Sequence, residues 1–258
     1  MIDAPIPQTL HSEEVPDSAA FAVQRAVWRA DIGADLSLRE RAVDLQVAAD
    51  AFHHTYQWEW LGVPVIRLPD DIVVLQQLVW SYRPTAIVET GVARGGSLIL
   101  NSSLQVLAGL VPAVLGIDIR IFGHTRTDVE THPLATGVEL LEADSTSPRT
   151  QGRVSAFLKG HDRALLILDS NHTHEHVLAE LHSLAPLLPL GAYVLVADTL
   201  IEEFPQGHYR GRPWDRGNNP MTAVRQFLDE TSNFEMDPDW SRRALVSEFR
   251  DGVLRKLR

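Results

Sequence analysis

Short apolar runs alternate along the chain with stretches whose apolar residues recur every three to four positions. The runs Ala86–Val88, Ala113–Ile117, Leu140–Ser145, Ala164–Leu168 and Tyr193–Ala197 have the length of buried strands. Helical spacing fills the intervals, over Ser97–Gly109, around Val154–Leu158, through Val177, Leu178, Leu181 and Leu184 to Pro186, and over Met221–Glu230. Strands that alternate with helices predict a doubly wound, largely parallel α/β sheet. Phe234–Met236 and Ala244–Leu257 are the last strand candidates, the second bent at Asp251-Gly252. Leu200–Pro220 reads as a long polar loop, and loops of that length are functional or disordered.

Upstream of the first run the pattern changes. Residues 1–17 carry three prolines and several acids and are expected to fray. From Ser18 to about Ala51 the spacing predicts two short helices joined near Gly33, with Val23, Ala26, Val27 and Ala30 on one face. Phe52–Pro64 is dense in aromatics and reads as irregular: a cover over a pocket mouth, a subunit interface, or a plug on the core. Pro69 and the acids after it start a helix that runs to Tyr82 and stops before Pro84. The expected division is a helical extension with an aromatic cap over 1–82 and a sheet domain over 83–258.

Composition narrows the classes. The chain has 258 residues, 45% of them apolar and 22% charged, as a globular chain does. With 23 Lys and Arg against 34 Asp and Glu, the net charge is −11, and no basic run offers a nucleic-acid surface. There is no cysteine, which removes disulfides, thiolate metal sites and a cysteine nucleophile. The acidic N-terminus lacks a secretory h-region, and no apolar run approaches the roughly 20 residues of a membrane span. A soluble cytoplasmic protein is the expectation.

Candidate chemistry gathers at the strand ends. After Glu89 comes a glycine turn, Gly91, Gly95 and Gly96, and a helix starts at Ser97. Glycines allow close backbone approach, and a helix start can hold an anion. The G-x-x-x-G-G spacing differs from the G-x-G-x-x-G of dinucleotide binders. By itself the turn also fits a plain strand–helix connection. Glu89, Asp118, Asp169 and Asp198 close four strands, and Asp144 follows the third. Acids crowded on one edge repel one another unless cations or hydroxyls take up their lone pairs. Asp118, closing the second strand, lies where ribose hydroxyls bind, or caps the next turn. Asp169 and Asp198, on neighbouring strands, suit Mg²⁺, with Thr199 as a third oxygen; otherwise they cap helices. His172, three residues past Asp169, is placed to act as a general base, since an unperturbed imidazole titrates at about 6.5. The HTHEH run of residues 172–176 lacks the H-E-x-x-H spacing of a zinc site. Trp214 either stacks on a ring or sugar or anchors its loop.

The order Ile87-Val88-Glu89-Thr90-Gly91 with Gly95-Gly96-Ser97, then Gly116-Ile117-Asp118, Leu168-Asp169-Ser170-Asn171-His172 and Val196-Ala197-Asp198-Thr199 resembles the S-adenosylmethionine (SAM)-dependent O-methyltransferases. More narrowly it is similar to the cephalosporin hydroxylase / rhamnosyl O-methyltransferase family of antibiotic and glycolipid pathways, and Ser247–Arg255 resembles that family's last strand. The similarity runs from about Trp58 to Arg258. It implies the Rossmann-like sheet of class I methyltransferases. Glu89, Thr90, Gly91, Gly95 and Ser97 would hold the methionine part of the donor, Asp118 its ribose, and Asp144 and Ser145 would lie beside its adenine. Asp169 would border the donor and, with Asp198 and Thr199, hold Mg²⁺; His172 would be the base. The acceptor would be a small hydroxylated molecule, shaped by Tyr56–Trp60 and Gly207–Asn219. A homo-oligomer is expected, since relatives commonly assemble.

One departure stands out. Relatives often place an acid immediately before the second metal Asp, where this chain has Ala197. Metal binding would be weaker or lost, unless Glu202 or Glu203 substitutes. The competing reading is a helper protein that keeps the fold and works with a partner enzyme. An NAD-dependent oxidoreductase is disfavoured by the glycine spacing. A metal hydrolase leaves the glycine turn and Asp118 unexplained.

Overall fold

The computed structural model describes residues 17–258; the expected fraying of the terminus lies, but for Asp17, outside them. Asp17 caps helix α1 (Ser18–Ala34), accepting from the amides of Ala19 and Ala20. Asp35 then breaks the helix and caps α2 (Leu36–Asp50), so the join falls two residues after Gly33. The predicted apolar face of α1 is not buried: Val23 is 67% and Val27 53% exposed. α2 is anchored instead, through Val43 packed with Leu68, Leu200 and Phe204.

The aromatic stretch is more regular than its sequence suggests. A 3₁₀ turn at His54–Tyr56 leads into an antiparallel hairpin of β1 (Trp58–Trp60) and β2 (Val63–Val65). Leu61 and Gly62 make the two-residue turn at positive φ that such hairpins require. The hairpin lies tightly on helix α4 (Gly96–Leu107): Trp60 Nε1 donates to Ser103, and a Cβ at Gly96 would sit 2.2 Å from the Pro64 carbonyl oxygen. Helix α3 (Pro69–Tyr82) ends at Arg83 in the left-handed conformation, before Pro84. Its Leu75, Leu78 and Val79 share one core with the sheet, so α3 packs as part of the sheet unit.

The sheet has seven strands in the order β5-β4-β3-β6-β7-β9-β8. The five predicted strands are β3 (Ala86–Thr90), β4 (Val114–Asp118), β5 (Val138–Glu142), β6 (Ala164–Leu168) and β7 (Tyr193–Val196), all parallel. β5 begins two residues before the predicted run and stops at Glu142, because Val138 pairs with Val114. Three further helices flank the strands: α6 (Pro148–Leu158), α7 (His174–Leu184) and α8 (Pro220–Glu230). Helix α5 (Gly123–Glu130) has no predicted counterpart; it buries only Thr125 and Val129, too few for a visible period.

β8 (Phe234–Met236) and β9 (Val253–Lys256), separated by the short helix α9 (Pro238–Ser241), run antiparallel at the far edge. The long strand expected over Ala244–Leu257 shrinks to β9. Its upstream part is a buried loop whose polar groups bond outside any ladder: the Glu248 amide donates to Asp71, and the Thr199 amide to the Glu248 carbonyl. Among the described residues no helix is long and apolar enough to cross a membrane.

Candidate active site

A cavity of about 400 Å³ opens at the carboxyl ends of β3, β6 and β7. The turn after β3 forms one wall. Gly91, at φ +90°, lies so close to the neighbouring strand that a Cβ would meet the Asp169 carbonyl oxygen at 1.9 Å. Gly95 starts α4 without a side-chain cap, which leaves the helix start open toward the cavity. Asp118 lines the same wall, with Oδ2 accepting from the amides of Val92 and Ala93 and Oδ1 from Arg120. It therefore holds the glycine turn in shape while facing the cavity.

Asp169, His172 and Asp198 converge at the floor, each offering a ligand atom within 4.8 Å of the others. His172 Nδ1 lies 3.1 Å from Asp198 Oδ2, and its ring meets Trp214 edge-on at 4.7 Å. A carboxylate beside Nδ1 favours the proton there and leaves the lone pair on Nε2. Trp214 thus both lines the cavity and steadies the imidazole. Burial pushes Asp169 up to about 6, against the pull of Arg67 and with a push from Asp198.

Thr199 does not join this group. It is fully buried, and its hydroxyl donates to the Glu248 carbonyl, so its place is structural. Neither expected substitute for an acid at position 197 faces the floor. Glu202 accepts from Gly217 and Asn219, and Glu203 pairs with Arg39. Ala197 packs in the apolar core with Phe249. The cavity also stops short of Asp144 and Ser145. Asp144 is exposed and caps Thr146, while Ser145 contacts His176.

The sequence reading missed Arg67, Glu248 and Asp50, whereas Tyr209 lies within the Gly207–Asn219 loop expected to shape the pocket. Arg67 is 1% exposed yet lines the cavity. Its Nη2 donates to Asp169 Oδ2 at 3.2 Å and lies 4.0 Å from Glu89; Nη1 is 3.5 Å from Glu248. Its carbon centre sits 4.9 Å over the Phe249 ring. Burial lowers its pKa, but Asp169, Glu248, Glu89 and Asp71 together outweigh burial and raise it. Glu89 is wholly buried and bonded to Asn101; burial raises it to about 7. Thr90 beside it is buried as well. Glu248 is held by Asp71 and Thr199, and burial raises its pKa too. The legible signal for Arg67 was a single charge inside the apolar run Val63–Leu68.

The opposite wall comes from α2, the 3₁₀ turn after it and the loop after β7: Asp50, Tyr56, Phe204, Tyr209 and Trp214. His208 Nε2–H donates to Asp50 at 2.8 Å, and Tyr209 stacks on Phe204.

A mostly parallel sheet with acids at its carboxyl edge beside a glycine turn fits the SAM-dependent O-methyltransferases, the class in which the family match places the chain. Within that class the chain belongs to the Rhamnosyl O-methyltransferase/CmcI family, whose model matches residues 52–257. It is 26% identical to the rhamnosyl O-methyltransferase of Mycobacterium leprae (strain TN), over 61% of this chain and 70% of the relative. It is 27% identical to the one from Mycobacterium tuberculosis (strain ATCC 25618 / H37Rv), over 67% of each. Among solved structures, CmcI with Mg and SAM superposes with a TM-score of 0.57 at 23% identity, covering 79% of this chain and 78% of its own. CmcI with S-adenosylhomocysteine (SAH) gives 0.53 at 22%, covering 78% and 83%.

Proposed function

We propose that the enzyme methylates a hydroxyl of a small uncharged molecule, a sugar or natural-product scaffold, with assistance from Mg²⁺. The observation that carries this reading is the meeting of Asp169, His172 and Asp198 beside the glycine turn. Two carboxylates with room for water suit a hard cation, so Asp169 and Asp198 would hold it. When bound, the sulfonium donor supplies an activated methyl group, and the cation supplies a Lewis acid that lowers the acceptor's pKa.

The chain's own residues do the remaining work. His172 takes the acceptor's proton at Nε2, and Asp198 orients the ring and steadies the imidazolium. Glu89, Gly91, Gly95 and Ser97 hold the methionine portion and Asp118 the ribose. Holding both reactants in register supplies much of the acceleration.

Five acids line the cavity (Asp50, Asp118, Asp169, Asp198 and Glu248) against Arg67, Arg94 and Arg212. An anionic acceptor is therefore disfavoured, while Tyr56, Tyr209 and Trp214 offer ring faces to a sugar or aromatic scaffold. The relatives named for rhamnosyl groups agree with a sugar. The exposed apolar residues Phe21, Val23, Val27 and Ile32 of α1 support assembly into a homo-oligomer. The test is mass spectrometry of SAM, Mg²⁺ and enzyme with methyl rhamnoside and with phenolic scaffolds. Addition of one methyl, lost in His172→Ala and on chelation, supports the reading. Methylation that survives both overturns it.

A further inference from the structure

The wall opposite the glycine turn carries one acceptor and one donor that the protein leaves unused. Asp50 Oδ2 accepts from His208, while Oδ1 has no partner among the described residues and the side chain is 26% exposed. Tyr209, the residue after His208, lines the cavity. Its hydroxyl likewise has no partner among the described residues and is not walled off from the cavity. The ring is fixed: it stacks on Phe204 at 5.8 Å and meets His208 edge-on at 4.8 Å. Burial pushes the phenol's pKa up, and the charges of Asp198, Asp50 and Glu248 push it further, so the oxygen stays an O–H donor.

This pairing selects its ligand. A carboxylate or phosphate would be repelled by Asp50. An ammonium would fill Asp50 but turn its own N–H groups toward the phenol's proton. A hydroxyl donates and accepts, so a single one fills both places. The location matters equally. Tyr209 feels the charge of Asp198 as well as that of Asp50, which puts the pair beside the floor group of Asp169, His172 and Asp198 and not at the far rim. A molecule whose reacting oxygen lies at His172 thus turns a second oxygen toward this wall. Because both side chains are already held, by His208 and by Phe204, little ordering is needed to bind it.

We propose that Asp50 and Tyr209 bind a second hydroxyl of the acceptor, on the same ring as the one that is methylated. The acceptor is then a polyol ring such as a sugar, and not a scaffold with a lone hydroxyl. Asp50 lies upstream of residues 52–257, so half of this subsite falls outside the segment matched by the family. The proposal rests on the methyltransferase reading above.

The test measures methylation of methyl α-rhamnoside, its three monodeoxy derivatives and 4-methylphenol with SAM and Mg²⁺, alongside calorimetry of SAH. Wild-type enzyme is expected to favour the rhamnoside by about tenfold or more in kcat/KM, mostly through KM, over a monodeoxy derivative that still gains a methyl. In Tyr209→Phe, which keeps the ring stack and removes only the O–H, that ratio falls to within about twofold. Asp50→Asn keeps the bond from His208 but turns an amide N–H toward the acceptor, and is expected to lose the ratio as well. SAH affinity is unchanged in both variants. Equal or faster methylation of 4-methylphenol by wild type overturns the proposal while the methyltransferase reading stands, and this arm needs no variant to fold. So does a ratio that Tyr209→Phe leaves intact. Methylation of none of these compounds by an enzyme that binds SAH overturns the sugar-acceptor reading and the proposal with it; failure to bind SAH overturns the donor reading too.

Discussion

His208 on the loop after β7 donates to Asp50 at the end of α2, at 2.8 Å, and so ties the N-terminal extension to the wall of the cavity. Arg39–Glu203 and the packing of Val43 on Phe204 make the same connection about three and two turns earlier. Tyr209, next to His208, has its phenol raised by burial and by Asp198 and Asp50. The tie therefore fixes the side of the cavity opposite the glycine turn. His208→Ala is expected to raise the acceptor KM about three- to tenfold, the worth of roughly one hydrogen bond, with SAH affinity unchanged. Steady-state kinetics paired with calorimetry check the split; a matching loss of SAH affinity would mean that the loop also holds the donor.

Asp169→Asn is expected to abolish the calorimetric signal of Mg²⁺ titration. The amide keeps the shape and can still accept from Arg67, whereas Asp169→Ala would leave a buried guanidinium short of its nearest partner, a loss of about 3–5 kcal/mol. An undiminished Mg²⁺ response in Asp169→Asn would exclude this residue as a ligand.

Two glycine substitutions should separate contact from conformation. Gly91→Ala places a methyl 1.9 Å from the Asp169 carbonyl at φ +90°, and a loss of more than about 3 kcal/mol or failure to fold is expected. Gly33→Ala sits in α1 with nothing within 4 Å and is expected to be neutral or to stabilise by up to about 1 kcal/mol. Denaturant melts read both.

Glu89 sets a pH dependence with a definite sign. Its pKa rises from 4.5 to about 7 on folding, chiefly through burial. The stability it contributes is complete below 4.5 and is lost as pH rises through about 7, because the folded chain must then give up a proton it holds. Donor binding runs the other way, since a positively charged ligand needs the carboxylate. The ligand-free melting temperature should fall from pH 5 to pH 8 while SAM affinity rises, and Glu89→Gln should flatten both trends.

Much of this was legible in the residues. The five parallel strands are buried, so each appears as an unbroken apolar run, and the acids Glu89, Asp118, Asp169 and Asp198 punctuate four of them. The offset from Asp169 to His172 located the imidazole that the fold sets against Asp198. What escaped was anything fixed by contact across long stretches of chain. Arg67 and Glu248 stand 181 positions apart and meet only because Asp71 and Thr199 secure the Glu248 backbone. Asp50 and His208 are 158 apart. The exposed face of α1 failed for a different reason: periodicity reports that a helix has an apolar side, not what covers it.

The backbone approach of Gly91 to Asp169 has a bearing on how such an enzyme diversifies. Because main chain abuts main chain there, the spacing between the glycine turn and the Asp169–His172–Asp198 group is a property of the sheet itself. The remaining wall is assembled from α2 and a long loop, and α2 lies upstream of the segment matched by the family. On the proposed function, new acceptors would be accommodated by rebuilding that outer wall, leaving the methyl group's flight distance untouched.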